Sequence, residues 1–213
     1  MNIYRILLDL IRLHAQSGTL ERMLDSFGVA VATCSETIAR AQKSGDQDYI
    51  DAVVDDECAV VENVIGAAFV ASQAELTATI SPVMRLHARA SAAGHVLTTS
   101  DGRKSGILRL GNALRPGVPY SDVEVINAFA NYFKHHDEWD IPWTTLTGQS
   151  RQTVDTITAF GATEGSTGNL RQGIRALGVA DNRELVRLSE SIERWRQTIV
   201  QGYETELRSV GLL

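Results

Sequence analysis

Two cysteines and four prolines in 213 residues leave few covalent or conformational staples. Cys34 and Cys58 cannot form a disulfide framework. Both fall in apolar helical patterns, which predicts two buried thiols and a reducing, cytoplasmic setting. Aromatic residues are scarce at 6%, so aliphatic side chains must close the core. Sustained alternation of apolar and polar residues is missing, which argues against strands. Uncharged runs of membrane length are missing too. The most apolar stretch, "CAVVENVIGAAFVASQAELT", is interrupted by Glu62 and Glu75, so no membrane span is predicted. The opening "MNIYRILLDLIRLH" carries Arg5, Asp9 and Arg12 and no small-residue cleavage site, unlike a signal peptide.

Basic residues are absent from 46–62, where Asp46, Asp48, Asp51, Asp55, Asp56, Glu57 and Glu62 stand alone. With a net charge of −6, a broad nucleic-acid-binding surface is disfavoured. Charge is nevertheless unevenly spread. Residues 101–115 hold Arg103, Lys104, Arg109 and Arg115 against Asp101 alone, so a local basic face is available.

What the chain does have is helical periodicity, and the expected fold is all-α, a single helical domain over 1–213. A first helix over about 2–15 would set Ile3, Leu7, Leu10, Ile11 and His14 on one stripe. Thr19 can cap a second helix reaching about Lys43, and Asp46 or Asp48 a third from Tyr49 to about Ala92. Pro82 lacks an amide donor and clashes with the preceding turn, so this long central helix should be bent or broken there. The third helix should turn Val53, Val54, Ala59, Val60, Val64, Ala67 and Ala68 to its apolar side, and its alternating Arg85, His87 and Arg89 to solvent. Residues 94–120, with five glycines and two prolines, read as an irregular connection. Ser121 and Glu124 spell a capping box. The helix they start should bury Ile126, Phe129, Ala130 and Phe133 and end near Trp139, ahead of Pro142. Further helices are predicted around 147–160, 166–178 and 181–209, the last capped by Asp181.

Chemistry concentrates in "NAFANYFKHHDEWD", residues 127–140. Asn131 and His135 are four apart and share a helix face, with Lys134 nearby, whereas His136 projects about 100° further round. Adjacent histidines do not chelate one ion from one helix, and His136 with Asp140 has the right spacing only if the helix runs that far. No metal or cofactor is therefore expected. "GATEGSTGNLRQG" lacks the preceding strand and following lysine of a phosphate loop and reads as a turn. A histidine can move protons near neutrality, a lysine can hold a phosphate anion, and an amide can orient it. Glu62 stands inside an apolar run, and a buried carboxylate needs a partner. Lys134 or one of the histidines is the natural candidate.

"NYFKHHDEW" following "CAVVENVIGAAFVASQAELT" resembles the pattern of HEPN-like helical bacterial proteins. The resemblance covers about residues 46–140, with N-terminal helices before it and a helical extension after it. It implies a helical bundle, usually a homo-dimer, and RNA binding or metal-independent endoribonuclease activity in defence or toxin–antitoxin systems. The family's polar residue and histidine would correspond to Asn131 and to His135 or His136. Its arginine should precede Asn131, where this chain has Ala130. Lys134 would then take the phosphate, with less rigid geometry, and Glu62 would support the site. A second match, Arg89 to His95 in "RASAAGH", crosses Gly94 at a helix end. The alternative is a catalytically inert helical interaction protein that binds a protein partner.

Overall fold

The computed structural model describes residues 3–14, 18–111, 117–139 and 141–213. Among the described residues there are helices and no strand. In chain order they are α1 (Ile3–His14), α2 (Thr19–Ala41), α3 (Gln47–Ala92), α4 (Lys104–Leu108), α5 (Asp122–His135), α6 (Gly148–Ala159), α7 (Asn169–Ala176) and α8 (Arg187–Ser209). Short 3-10 turns follow α5 at His136–Glu138 and precede α6 at Trp143–Thr145.

The 46-residue α3 is the axis of the fold and is touched by α1, α2, α4, α5, α7 and α8. Asp46 caps it, accepting from the Tyr49 amide at 3.2 Å. It runs through Pro82 without dividing. The proline deprives only the Ala78 carbonyl of an amide, and Ser81 donates its hydroxyl to the Thr77 carbonyl at 2.9 Å beside it. Packing of Leu76, Ile80, Val83 and Leu86, all nearly inaccessible, holds both halves in one helix where proline alone predicts a break.

α5 lies against the middle of α3. Its predicted capping box is present: Ser121 Oγ accepts from the Glu124 amide at 3.2 Å, and Glu124 accepts from the Ser121 amide at 2.8 Å. The rings of Phe69 and Phe129 stack at 5.4 Å. Gly66 lets Phe133 approach α3 so closely that a Cβ would stand 2.1 Å from the ring. α5 ends at His135, one turn earlier than predicted, and passes into the 3-10 turn.

Several other expectations are corrected. α1 buries Ile6, Leu10 and Leu13 and exposes Leu7 and Ile11; the side chains of Ile3 and His14 lie outside the described residues. The rotation is set by Asp9, 1% exposed, which accepts from Arg89 of α3 and has Arg85 at 3.7 Å. Arg89 and His87 are thus internal ligands. His87 Nε2 meets the Tyr203 hydroxyl at 2.6 Å, and Ser100 Oγ meets that hydroxyl at 2.6 Å. Burial lowers the His87 pKa and pushes Tyr203 up to about 12. α4 forms inside the stretch read as irregular, because Asp101 accepts from the Arg103 amide at 2.9 Å and Ile107 and Leu108 are buried. α8 begins at Arg187 because Asp181 spends its carboxylate on the Arg183 amide and guanidinium. Its predicted stripe, from Leu188 through Trp195 to Tyr203, is buried. Cys34 is buried, with its thiol pushed up to about 11 by burial and then by Glu57, whereas Cys58 is only half-buried.

The loop that leads into α4 is clamped to α8 by Glu206. Its carboxylate accepts from the amides and hydroxyls of Thr98 and Thr99. Burial raises this carboxyl, but the four hydrogen bonds outweigh burial and bring it to about 2. A carboxylate below its unfolded value of 4.5 adds stability above that pH and loses it as pH falls toward 2. Glu206→Gln should therefore lower the thermal midpoint at pH 7 and flatten its fall between about pH 4.5 and 2, read by calorimetry across that range.

Candidate functional site

The residues singled out from sequence divide between two sides of α5. Asn131, 7% exposed, and Lys134 lie on the side facing Gln73 of α3, itself 8% exposed. Lys134 Nζ donates to Gln73 Oε1 at 2.7 Å. Gln73 Nε2 donates to Asn131 Oδ1 at 2.8 Å and to Asn127 Oδ1 at 3.0 Å. An ammonium can only donate, so the Gln73 amide has one possible orientation. Its nitrogen must then donate, and both asparagines must offer it their oxygens. Their Nδ2 groups have no partner among the described residues, and both asparagines line a cleft of about 770 Å³ between α4, α5 and α6.

That cleft is walled on its α4 side by Arg103 and Lys104 and on its α6 side by Gln149 and Gln152, with Tyr120 at one end. Burial lowers the Lys104 pKa, and the charge of Lys134 lowers it further. No ion-pair partner stands against Lys104 or Lys134 among the described residues. The two carboxylates that line the cleft are committed elsewhere. Glu124 has Arg109 at 3.4 Å and completes the capping box, and Asp155 pairs with Arg151 at 2.7 Å. Asn127, Asn131 and Lys104 line one concavity, a combination of amide groups and positive charge that suits an anion chemically.

Glu62 is on the other side of α5 and does not meet Lys134 or either histidine. It is partly buried against α7, with Arg171 Nε at 3.2 Å and the Leu170 amide as a donor. Burial raises its pKa, and Arg171 and Leu170 partly offset that rise. Tyr132 is near enough to feel the charge of Glu62, and its hydroxyl accepts from Asn169 Nδ2 at 3.0 Å. Arg171 was out of view because only the turn 161–168 brings α7 back across α3.

His135 is about half exposed, and its Nδ1 faces Glu138 at 3.1 Å. His136 packs its ring on Tyr132, centroids 5.1 Å apart. Its Nδ1 lies 3.1 Å from the Phe133 carbonyl and its Nε2 3.0 Å from Asp137. Neither histidine lines the cleft. Asp140, the other half of the weighed metal pair, lies outside the described residues. His95 has no part in the cleft either.

Sequence reasoning missed Gln73 and Asn127, and it read Lys104 only as part of a local basic face. Asn127, Asn131 and Lys134 do stand at i, i+4 and i+7, one helix face, so that spacing carried a readable signal. Gln73 was the lone amide in an otherwise small and apolar run.

The fold and cleft define an all-α protein with a donor-lined, cation-flanked pocket. No protein-family model, no curated protein and no solved structure matches the chain.

Proposed function

We propose that the protein binds RNA, seating a phosphodiester of a single-stranded segment in the α4–α5–α6 cleft. The observation that carries this reading is the fixed polarity of the Lys134–Gln73–Asn127–Asn131 chain, which leaves both asparagine Nδ2 groups without a partner among the described residues in a cleft that Lys104 also lines. Donors and cations without a free carboxylate favour phosphate over a neutral ligand. Tyr120 offers a ring for a base to stack on. The acidic remainder of the chain suits a short seated segment better than a long duplex track.

Binding is favoured over cleavage because each histidine ring already faces an acceptor at the protein surface. A general base must reach the 2′-hydroxyl it deprotonates. The second reading, a catalytically inert interaction protein, draws on the same placement of His135 and His136.

Fluorescence anisotropy with a labelled single-stranded oligoribonucleotide in EDTA tests the proposal. Lys104→Ala should weaken binding about tenfold and reduce the slope of log affinity against log salt by about 0.7, one phosphate contact fewer. Absence of binding at low salt, or binding indifferent to Lys104→Ala, overturns it. Cleavage of the same oligonucleotide that vanishes in His135→Ala or His136→Ala would extend the activity from binding to hydrolysis.

A further inference from the structure

Trp195 shows how a tryptophan serves packing alone. It is 3% exposed, and its indole nitrogen donates to the Ile107 carbonyl at 3.1 Å, as a buried indole requires. Trp139 and Trp143 are placed differently. Both are half-buried at the surface, and neither indole nitrogen meets an acceptor among the described residues. They gather on Tyr132, which is 8% exposed and whose hydroxyl is held by Asn169. The three ring centroids form a nearly equilateral triangle with sides of 6.0, 6.1 and 6.5 Å. Every pair of planes crosses steeply, at 81° for Tyr132–Trp143, 85° for Trp139–Trp143 and 56° for Tyr132–Trp139. By contrast, Phe69 and Phe129 lie at 21° in the core. Both indoles stand on fixed turns. The Trp139 amide donates to the His136 carbonyl at 3.2 Å, and the Trp143 amide donates to Glu164 Oε1 at 3.2 Å.

Edge-to-face packing among the rings alone gives steep angles too; the surrounding charge points further. Glu164 touches the group through the Trp143 amide, and its Oε2 has no partner among the described residues. Asp137, exposed beside His136, and Glu62 both act on Tyr132. Burial is the main cause that raises the Tyr132 pKa, the hydrogen bond from Asn169 opposes it, and these two negative charges add to the rise. Arg171 is already paired with Glu62. The rings therefore stand in a negative field. We propose that Tyr132, Trp139 and Trp143 form a site for a quaternary ammonium group, with the Glu164 carboxylate at its rim. A point facing all three rings of such a triangle lies about 4.5 Å from each centroid, inside the ~6 Å over which an aromatic quadrupole attracts a cation.

A primary ammonium leaves water only where acceptors replace its hydration, and three aromatic faces with one carboxylate supply too few. A trimethylammonium group has no N–H to satisfy and spreads its charge over methyls that pack against the rings. None of the three rings lines the α4–α5–α6 cleft, so ammonium binding is independent of RNA binding.

Nitrogen–proton spectra of the full chain resolve one indole resonance for each of its three tryptophans. Titration with choline should shift those of Trp139 and Trp143 to saturation and leave Trp195 in place. Ring currents should also move the bound choline methyl protons upfield. The tert-butyl analogue of choline, a neutral alcohol of the same shape, should bind about tenfold more weakly. Trp143→Leu keeps apolar bulk and should lower choline affinity about tenfold, read at Trp139, with Trp143→Phe recovering part of the loss. Glu164→Gln still offers the Trp143 amide an acceptor but removes the charge, and should weaken choline about threefold. Trimethyl-lysine in place of choline distinguishes a modified side chain from a small solute by which binds more tightly. No saturable shift at either surface indole, equal affinity for the neutral alcohol, or unchanged affinity in a folded Trp143→Leu refutes the site. Should Trp143→Leu not fold, the neutral alcohol and Glu164→Gln still decide.

Discussion

Gln73→Glu should strip the cleft of most of its affinity for RNA while leaving the fold in place. The substitution is isosteric and keeps the contact with Lys134, whose ammonium donates to residue 73 at 2.7 Å in the wild type. A carboxylate has no hydrogen to offer Asn127 and Asn131. Their amides must rotate half a turn, giving nitrogen to the new carboxylate and oxygen to the cleft. Two donors become two acceptors on the phosphate-facing wall. A hydrogen bond to a charged group contributes about 1.5–3 kcal/mol, so losing two corresponds to a fall in affinity of about a hundredfold or more. Gln73 need not touch the ligand for this to happen; it is a positioning residue. The side-chain amide resonances of Asn127 and Asn131 should move together in nitrogen–proton spectra, and the thermal midpoint should stay close to that of the wild type. Unchanged RNA affinity with shifted amides would show that the ligand does not use this wall.

Phe129→Ala should produce the largest loss of stability in the chain. The ring is fully buried, stacks on Phe69 at 5.4 Å and lies so near α7 that a Cβ on Gly173 would stand 2.7 Å from it. One side chain thus joins α3, α5 and α7. Removing a buried phenylalanine typically costs about 3–5 kcal/mol, because the cavity left behind closes only in part. At this chain length that corresponds to a drop of about 10 °C in thermal midpoint. Urea unfolding measures the loss directly. A change below about 1 kcal/mol would mean that the three helices repack around the gap, contrary to the close fit at Gly66 and Gly173.

Much of this fold is written locally. Ser121 and Glu124 announce the start of α5, and Ile126, Phe129 and Ala130 announce its buried face, because capping and periodicity act within one or two turns. The predicted division at Pro82 is local reasoning too, and there packing along both sides of α3 keeps the helix in one piece despite one missing hydrogen bond. The face buried by α1 could not be read from apolar spacing, since a buried carboxylate, Asp9, overrides it through Arg89, 80 residues away. Likewise the site signal in Asn131 and Lys134 was visible on one helix, but their partner Gln73 lies 58 and 61 positions distant. The partner expected for Glu62 differs for the same reason: Arg171 comes from a helix whose approach depends on an intervening turn.

The amino-acid order alone determined the helical class, most helix starts and the concentration of polar chemistry on α5, because each follows from interactions between near neighbours. Only the tertiary structure decided which way that chemistry faces. It turned Asn131 to Gln73 and the cleft, Lys134 to Gln73, His136 to Tyr132 and the surface, and Glu62 to Arg171. Those choices are made by contacts between segments far apart in the chain, whose energies no local pattern encodes.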